Sequence, residues 1–307
     1  MKRTLLVGMS LGIIGQAHAT FDLIFVADVG TDSIHRFDGD SGVYLGTIGN
    51  GALVDPQSIQ IDKVNNRLFV GAANGFFQFD LWSGTLVNAI GVYNITHLTE
   101  YAPGQNLGTF TSSLNWFGGF IPNFDGYYNG MFMPASSVYG GITKYQGNLM
   151  AADITGSRVR SYSTTSWGGT ATVINTYLTT TNGGYGQMMA NGTYFGVADG
   201  GNNRVHYAHS GYASGSTMPW NTVDEASVIK GLAFAHGNTY YASGRNFGNT
   251  SGALYRRSLG VGGTLGTYGT GILQQPRDIA VMIAPEPGVY LGFGVGLAGL
   301  LLRRRRK

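Results

Sequence analysis

His97, Gln187, Lys230, Arg277 and Asp278 are the side chains of this sequence whose types could do chemistry together. A histidine or an aspartate can act as a general base. A lysine or an arginine can stabilise the anion that proton removal creates. Although far apart along the chain, each sits at or next to the same place in a short recurring segment.

That segment reads as a strand. It recurs as PQSIQID (56–62), ITHLTEY (95–101), YGGITKY (139–145), YGQMMAN (185–191), IKGLAFA (229–235) and PRDIAVM (276–282). Aligned on one apolar residue, the copies give Ile59, Leu98, Ile142, Met188, Leu232 and Ile279, spaced by 39, 44, 46, 44 and 47 positions. Six copies at a near-constant spacing that fits four short strands predict an all-β fold, a six-bladed β-propeller over residues 20–283. The residue before each apolar position is Ser58, His97, Gly141, Gln187, Gly231 or Asp278; one step earlier stand Gln57, Thr96, Gly140, Gly186, Lys230 and Arg277. In a propeller these positions line the central channel or its mouth, where a ligand site belongs.

Two functions fit such a mouth. A lactonase-like hydrolase or a lyase would use His97 or Asp278 as base and Lys230 or Arg277 on the anion. A metal-assisted version needs several oxygens converging on one hard cation, and these positions offer Asp278 with little besides Glu100. The alternative is a polar binding mouth with no catalytic residue, cofactor or metal ligand, and the residue types favour it.

A second motif interleaves with the first. ADVGTDSIHRF begins at Ala27, ADITGSRVRSY at Ala152 and ADGGNNRVHYA at Ala198; six residues after each Asp comes Ile34, Val159 or Val205. The Asp carboxylate is expected to accept backbone N–H groups across the intervening turn. Segments near Ala72 and Ala242 look like degenerate copies. The stretch VADGGNNRV (197–205) resembles NHL-type propeller repeats, and that resemblance implies the same ring architecture. Because the chain enters with a second-type strand and ends its body with an innermost-type strand, pairing of the two termini should close the ring and remove open edges.

Composition agrees. Glycine contributes 50 of 307 residues and cysteine none, so strands and turns dominate and neither disulfides nor thiolate metal sites are available. FDGDSG (37–42) lacks the other positions of a calcium loop and reads as a turn. His206 and His209, three apart on a strand, should face opposite ways. Around the third repeat, Trp116, Phe117, Phe120, Phe124, Tyr127, Tyr128 and Phe132 crowd among glycines, better suited to filling core between blades than to a sugar-stacking surface.

The ends carry addresses. Lys2 and Arg3 precede an apolar stretch and the small-residue site Ala17-His18-Ala19, which predicts a signal peptide over residues 1–19, removed by signal peptidase. At the other end an uncharged run, Val289 to Leu302, is followed by Arg303, Arg304, Arg305, Arg306 and Lys307. As a helix the run would span about 21 Å, short for a bilayer, but flanked by cations that the positive-inside rule leaves in the cytoplasm. Pro285-Glu286-Pro287, then this apolar run, then the arginine cluster resembles the PEP-CTERM sorting signal of exported bacterial proteins. The resemblance covers residues 284–307. It implies a short transmembrane helix, removal by an exosortase, and transit through the inner membrane to the cell surface or extracellular matrix of a bacterium with an outer membrane, in company with exopolysaccharide or another surface protein. Of nineteen Lys and Arg, two lie in the leader and five in the tail; the remaining twelve against sixteen Asp and Glu leave a body near −4. The basic pI therefore belongs to the ends, and no nucleic-acid partner is expected.

Overall fold

The computed structural model describes residues 20–285, apart from 92–93, 103–104, 111–115, 121–126, 133–138, 146, 164–171, 182, 192, 210–220, 225–227, 236–237, 246–250 and 261–262. The expected signal peptide and the Glu286 to Lys307 part of the expected sorting tail lie outside the described residues. So do the side chains of the aromatic group between Trp116 and Phe132. Residues 22–283 form one compact unit.

Among the described residues there are twenty-four strands and one 3-10 turn (Val29–Thr31). The first sheet holds β1 (Thr20–Asp28), β2 (Ser33–Asp38) and β3 (Tyr44–Ile48). The second holds β4 (Pro56–Asp62), β5 (Arg67–Ala72), β6 (Gly75–Asp80) and β7 (Leu86–Ile90). The third comprises β8 (Ile95–Ala102), β9 (Gln105–Phe110), β10 (Trp116–Phe120) and β11 (Tyr127–Phe132). The fourth comprises β12 (Tyr139–Tyr145), β13 (Asn148–Asp153), β14 (Arg158–Tyr162) and β15 (Val173–Thr179). Then come β16 (Tyr185–Ala190), β17 (Tyr194–Asp199), β18 (Arg204–His209) and β19 (Asn221–Asp224) in the fifth, and β20 (Val228–Phe234), β21 (Thr239–Arg245), β22 (Gly252–Ser258) and β23 (Thr264–Tyr268) in the sixth. β24 (Pro276–Pro285) joins the first sheet beside β1, so every sheet has four strands and the chain's first and last strands pair. This is an all-β propeller. No helix among the described residues is long and apolar enough to cross a membrane.

Burial follows position in the sheet. The second strands β5, β13 and β17 are buried at nearly every residue, because neighbouring sheets cover both of their faces. The outer strands β3, β7 and β23 leave most residues exposed or half-buried. The core is accordingly divided between sheets: Met150, Ala152 and Val159 meet Met188, Phe195 and Val197 across the fourth and fifth, and Phe69 and Phe76 meet Ile95 and Leu98 across the second and third. Where the ring closes, Ile24, Val26 and Phe37 of the first sheet pack on Ala233, Tyr241 and Leu254 of the sixth. A polar latch reinforces that seam. The Tyr241 hydroxyl reaches Asp22 (3.0 Å) and the Gly39 carbonyl (2.9 Å), which also accepts from Tyr268.

The Asp motif works as its sequence suggests. Asp28, Asp153 and Asp199 are fully buried at the ends of β1, β13 and β17. Each accepts a backbone N–H across the turn, from Gly30 (3.0 Å), Gly156 (2.9 Å) and Asn202 (3.2 Å). Ile34, Val159 and Val205 pair with Ala27, Ala152 and Ala198. Seven residues after each Asp stands a basic side chain, His35 (3.7 Å), Arg160 (3.5 Å) or His206 (3.3 Å). Burial opposes ionisation of Asp199, but hydrogen bonds from His206 and Asn202 outweigh it and hold its pKa below the usual carboxylate value. In the degenerate second and sixth copies, Ala72 and Gly244 occupy the Asp register. The FDGDSG segment is a turn between β2 and β3, with Asp38 accepting from Asp40 N, Ser41 N and Ser41 Oγ. As expected from alternation, His206 is buried and His209 exposed.

Candidate functional site

Each sheet's innermost strand is an edge strand, so its outward N–H and C=O groups have no partner within their own sheet. Of the six inner strands, β4, β8, β12, β16, β20 and β24, four (β4, β8, β16 and β24) solve this with the side chain that precedes the aligned apolar position. Asp278 Oδ2 accepts the Ile59 N–H at 2.8 Å, reaching from the first sheet to the second. Ser58 Oγ accepts the Leu98 N–H at 2.8 Å, from the second to the third, while its own O–H donates to Asp278. His97 Nε2–H donates to the Tyr139 carbonyl at 2.8 Å, from the third to the fourth. Gln187 does most: its Oε1 accepts from Leu232 N (2.7 Å) and Ile279 N (3.0 Å), and its Nε2 donates to Ile279 O (2.8 Å). The two glycines in this register mark backbone contact instead. A Cβ on Gly141 would lie 2.3 Å from the Gly186 carbonyl.

The position before these clasps is a β-bulge. In β4, β8, β12 and β20 the pairing skips one residue, and that residue is Gln57, Thr96, Gly140 or Lys230. In β16 the irregularity covers Gly186 and Gln187. A bulged residue leaves the ladder and its side chain is re-aimed. Gln57, Thr96, Gly140, Gly186 and Lys230 accordingly line one cavity of about 170 Å³, and Arg277, at the same place in the repeat of β24, lines it with them. His97, Gln187 and Asp278 border it as well, so all five residues singled out by type come together there.

Tyr139, Tyr185 and Ile154 complete the wall. Sequence reasoning did not place these three at the mouth. The tyrosines had a signal, since each stands three residues before its aligned apolar position; Ile154 follows the Asp turn and had none.

The charges of the mouth are set by burial. Asp278 is 4% exposed. Its loss of solvation outweighs the hydrogen bonds from Ile59, Ser58 and Ile279 and pushes its pKa up to about 7. Burial likewise brings His97 down to about 4, against the favourable bond to Tyr139 and helped by Arg277, so the imidazole is neutral near pH 7. The Lys230 pKa is lowered by burial and then by Arg277, with Asp199 pulling the other way. Lys230 Nζ donates to the Gly184 carbonyl at 3.3 Å. Arg277 is exposed, and among the described residues its guanidinium makes no hydrogen bond or ion pair. The cavity thus gathers two cations, one neutral imidazole and one carboxyl tied to backbone. No cluster of three or more His, Cys, Asp or Glu with metal-binding geometry occurs among the described residues.

A second cavity, about 370 Å³, lies at the later part of the inner strands and is mixed in character, with Ile61, Met189 and Phe234 beside Gln60, Lys63 and Asn191.

No family model and no curated protein matches the chain in sequence. Solved structures do match in fold. A protein of unknown function from Bacteroides caccae aligns with a TM-score of 0.69 at 11% identity, over 86% of this chain and 99% of that one. A chain of a nidogen/laminin complex aligns with a TM-score of 0.64 at 11% identity, over 85% and 98%. The β-propeller domain of Myceliophteria thermophila Cps50 (Swd1) aligns with a TM-score of 0.58 at 10% identity, over 85% and 89%. At such identities the likeness is one of fold.

Proposed function

We propose that this chain is an exported bacterial surface or matrix protein, a six-bladed propeller acting as a non-catalytic binding or scaffold module and associated with exopolysaccharide. The observation that carries the non-catalytic reading is the engagement of the mouth's acid and base. Asp278 and His97 each hold a neighbouring strand. Asp278 gives both carboxyl oxygens to backbone N–H groups. His97, held through Nε2, keeps an Nδ1 lone pair that burial makes weakly basic, with a pKa of about 4, so neither residue is placed to take a substrate's proton. What remains directed at the cavity is a pair of cations, suited to binding.

Export rests on the two terminal signals. The closing strand runs to Pro285, the first residue of the Pro-Glu-Pro motif, so a sorting cut beside that motif leaves the strand that seals the ring intact. On this reading signal peptidase and an exosortase process the chain, and the C-terminal helix holds it in the inner membrane until then.

Intact mass of the protein from its native host, taken separately from membrane and medium, tests the export reading. The expected species begins at Thr20 and ends near Pro287. Finding Arg303 to Lys307 still attached in every fraction would overturn the sorting reading and make the protein a membrane-anchored propeller.

A further inference from the structure

The mouth is asymmetric. On the fourth and fifth sheets the bulge residues are Gly140 and Gly186, where a Cβ would stand 2.0 Å from Tyr185 O and 2.2 Å from Lys230 O. Close backbone approach leaves no room for a side chain there. On the sixth and first sheets, adjacent in the ring, the corresponding residues are Lys230 and Arg277. Two like charges are therefore set beside one cavity, near enough for Arg277 to depress the lysine's proton affinity. Lys230 uses one donor on Gly184 O and keeps two; the planar guanidinium fork of Arg277 is unpartnered among the described residues. The one carboxyl in the wall, Asp278, is turned to the Ile59 and Ile279 N–H groups. A guanidinium fork and an ammonium match the oxygens of a carboxylate or a phosphate. The volume of about 170 Å³ is below the roughly 300 Å³ where pockets for drug-sized ligands begin, so the ligand is small.

We propose that the channel mouth binds a small oxyanion, the carboxylate of an acidic sugar or a phosphate group, through Arg277 and Lys230. This deepens the binding-module reading and rests on it. The Gln57 amide and the half-buried Tyr139 ring line the same cavity and give a sugar ring a polar edge and an apolar face to meet.

The test is calorimetric titration of the full chain with glucuronate, glucose and inorganic phosphate at pH 7 and low salt. Glucuronate should bind and glucose should not; phosphate binding as well as glucuronate makes the anionic group the whole determinant, and phosphate failing assigns the site to acidic sugars. Arg277→Gln and Lys230→Gln should each weaken binding by about tenfold or more, while Lys63→Gln at the other cavity leaves it unchanged. Arg277 is exposed and unpartnered, so its variant should melt like the wild type. Glucose binding as tightly as glucuronate would overturn the anion site and leave a binding module. Binding by none of the three probes, or binding that neither mouth variant weakens, would overturn the proposal outright. Turnover of glucuronolactone by the full chain would instead sink the non-catalytic reading and leave the anion site standing.

Discussion

Asp278→Asn should remove the destabilising contribution that the buried carboxyl adds as pH rises from about 4 to about 7. In the unfolded chain the Asp278 carboxyl ionises near 3.8; in the fold, burial holds its pKa near 7. Between those values the folded state keeps a proton that the unfolded state releases. Its contribution is therefore complete below about pH 4 and lost as pH climbs through 7. Three pKa units correspond to about 4 kcal/mol, an order of magnitude for the swing.

His97 acts in the opposite sense. Its folded pKa near 4 lies below the ordinary 6.5, so its contribution is present above 6.5 and lost as pH falls towards 4. In the wild type the two limbs offset one another. Asp278→Asn should uncover the histidine limb alone. Ser58, Ile59 and Ile279 contact the carboxyl, and Arg277 and Lys230 share its cavity; all of these remain in the variant and cancel in the difference between the two denaturation curves. A difference that stays flat from pH 4 to 8 would mean that Asp278 ionises in the fold as it does in water, and its role as a buried clasp would be wrong.

Gln187→Leu should cost about 2–4 kcal/mol, because it strands the Leu232 N–H and the Ile279 carbonyl, while the Ile279 N–H loses the better of its two acceptors and keeps Asp278 Oδ1 at 3.1 Å. Leu232 N, Ile279 N and Ile279 O belong to the sixth and first sheets, so the loss falls on the seam where the chain's ends meet. For a body of this size that is a drop in melting temperature of about 5–15 °C. Gln57→Leu is the matched comparison. Gln57 lines the same cavity, but its side chain makes no hydrogen bond among the described residues, and its substitution should change stability by about 0.5 kcal/mol or less. Equal melting of the two variants would contradict the clasp.

These two residues show how far the sequence could be read. Ile59, Leu98, Ile142, Met188, Leu232 and Ile279 could be aligned because each must be buried at the same depth of its sheet, and burial constrains residue type. From that alignment the positions facing the mouth followed. The division of work between adjacent positions did not. The partner of Asp278 is the N–H of Ile59, 219 residues away, and the two partners of Gln187 lie in two different sheets. A hydrogen bond to a backbone amide leaves no mark on the partner's residue type, so Asp278 and His97 looked like free acid–base groups. The bulges were hidden for a related reason: an extra residue in a strand is visible only against its neighbour's register. Glycine at 140 and 186 hinted at close approach, but not at what approached. The Asp turns were legible because Asp28, Asp153 and Asp199 find their N–H partners within the same few residues.

Amide hydrogen exchange at Ile59, Leu98, Leu232 and Ile279 tests the central claim most directly, namely that the mouth residues hold the inner strands while the bulge residues face the ligand. These N–H groups lie on edge strands, so they depend on clasping side chains: Asp278 for Ile59, Ser58 for Leu98, Gln187 for Leu232, and Gln187 with Asp278 for Ile279. All four should exchange slowly in the wild type, near the rate set by global unfolding. In Gln187→Leu, Leu232 should lose that protection while Ile59 and Leu98 keep it, and Ile279, left with Asp278 Oδ1 alone, should fall between them. Fast exchange at all four in the wild type would show the mouth side chains free of the backbone, and His97 and Asp278 would return as candidates for chemistry.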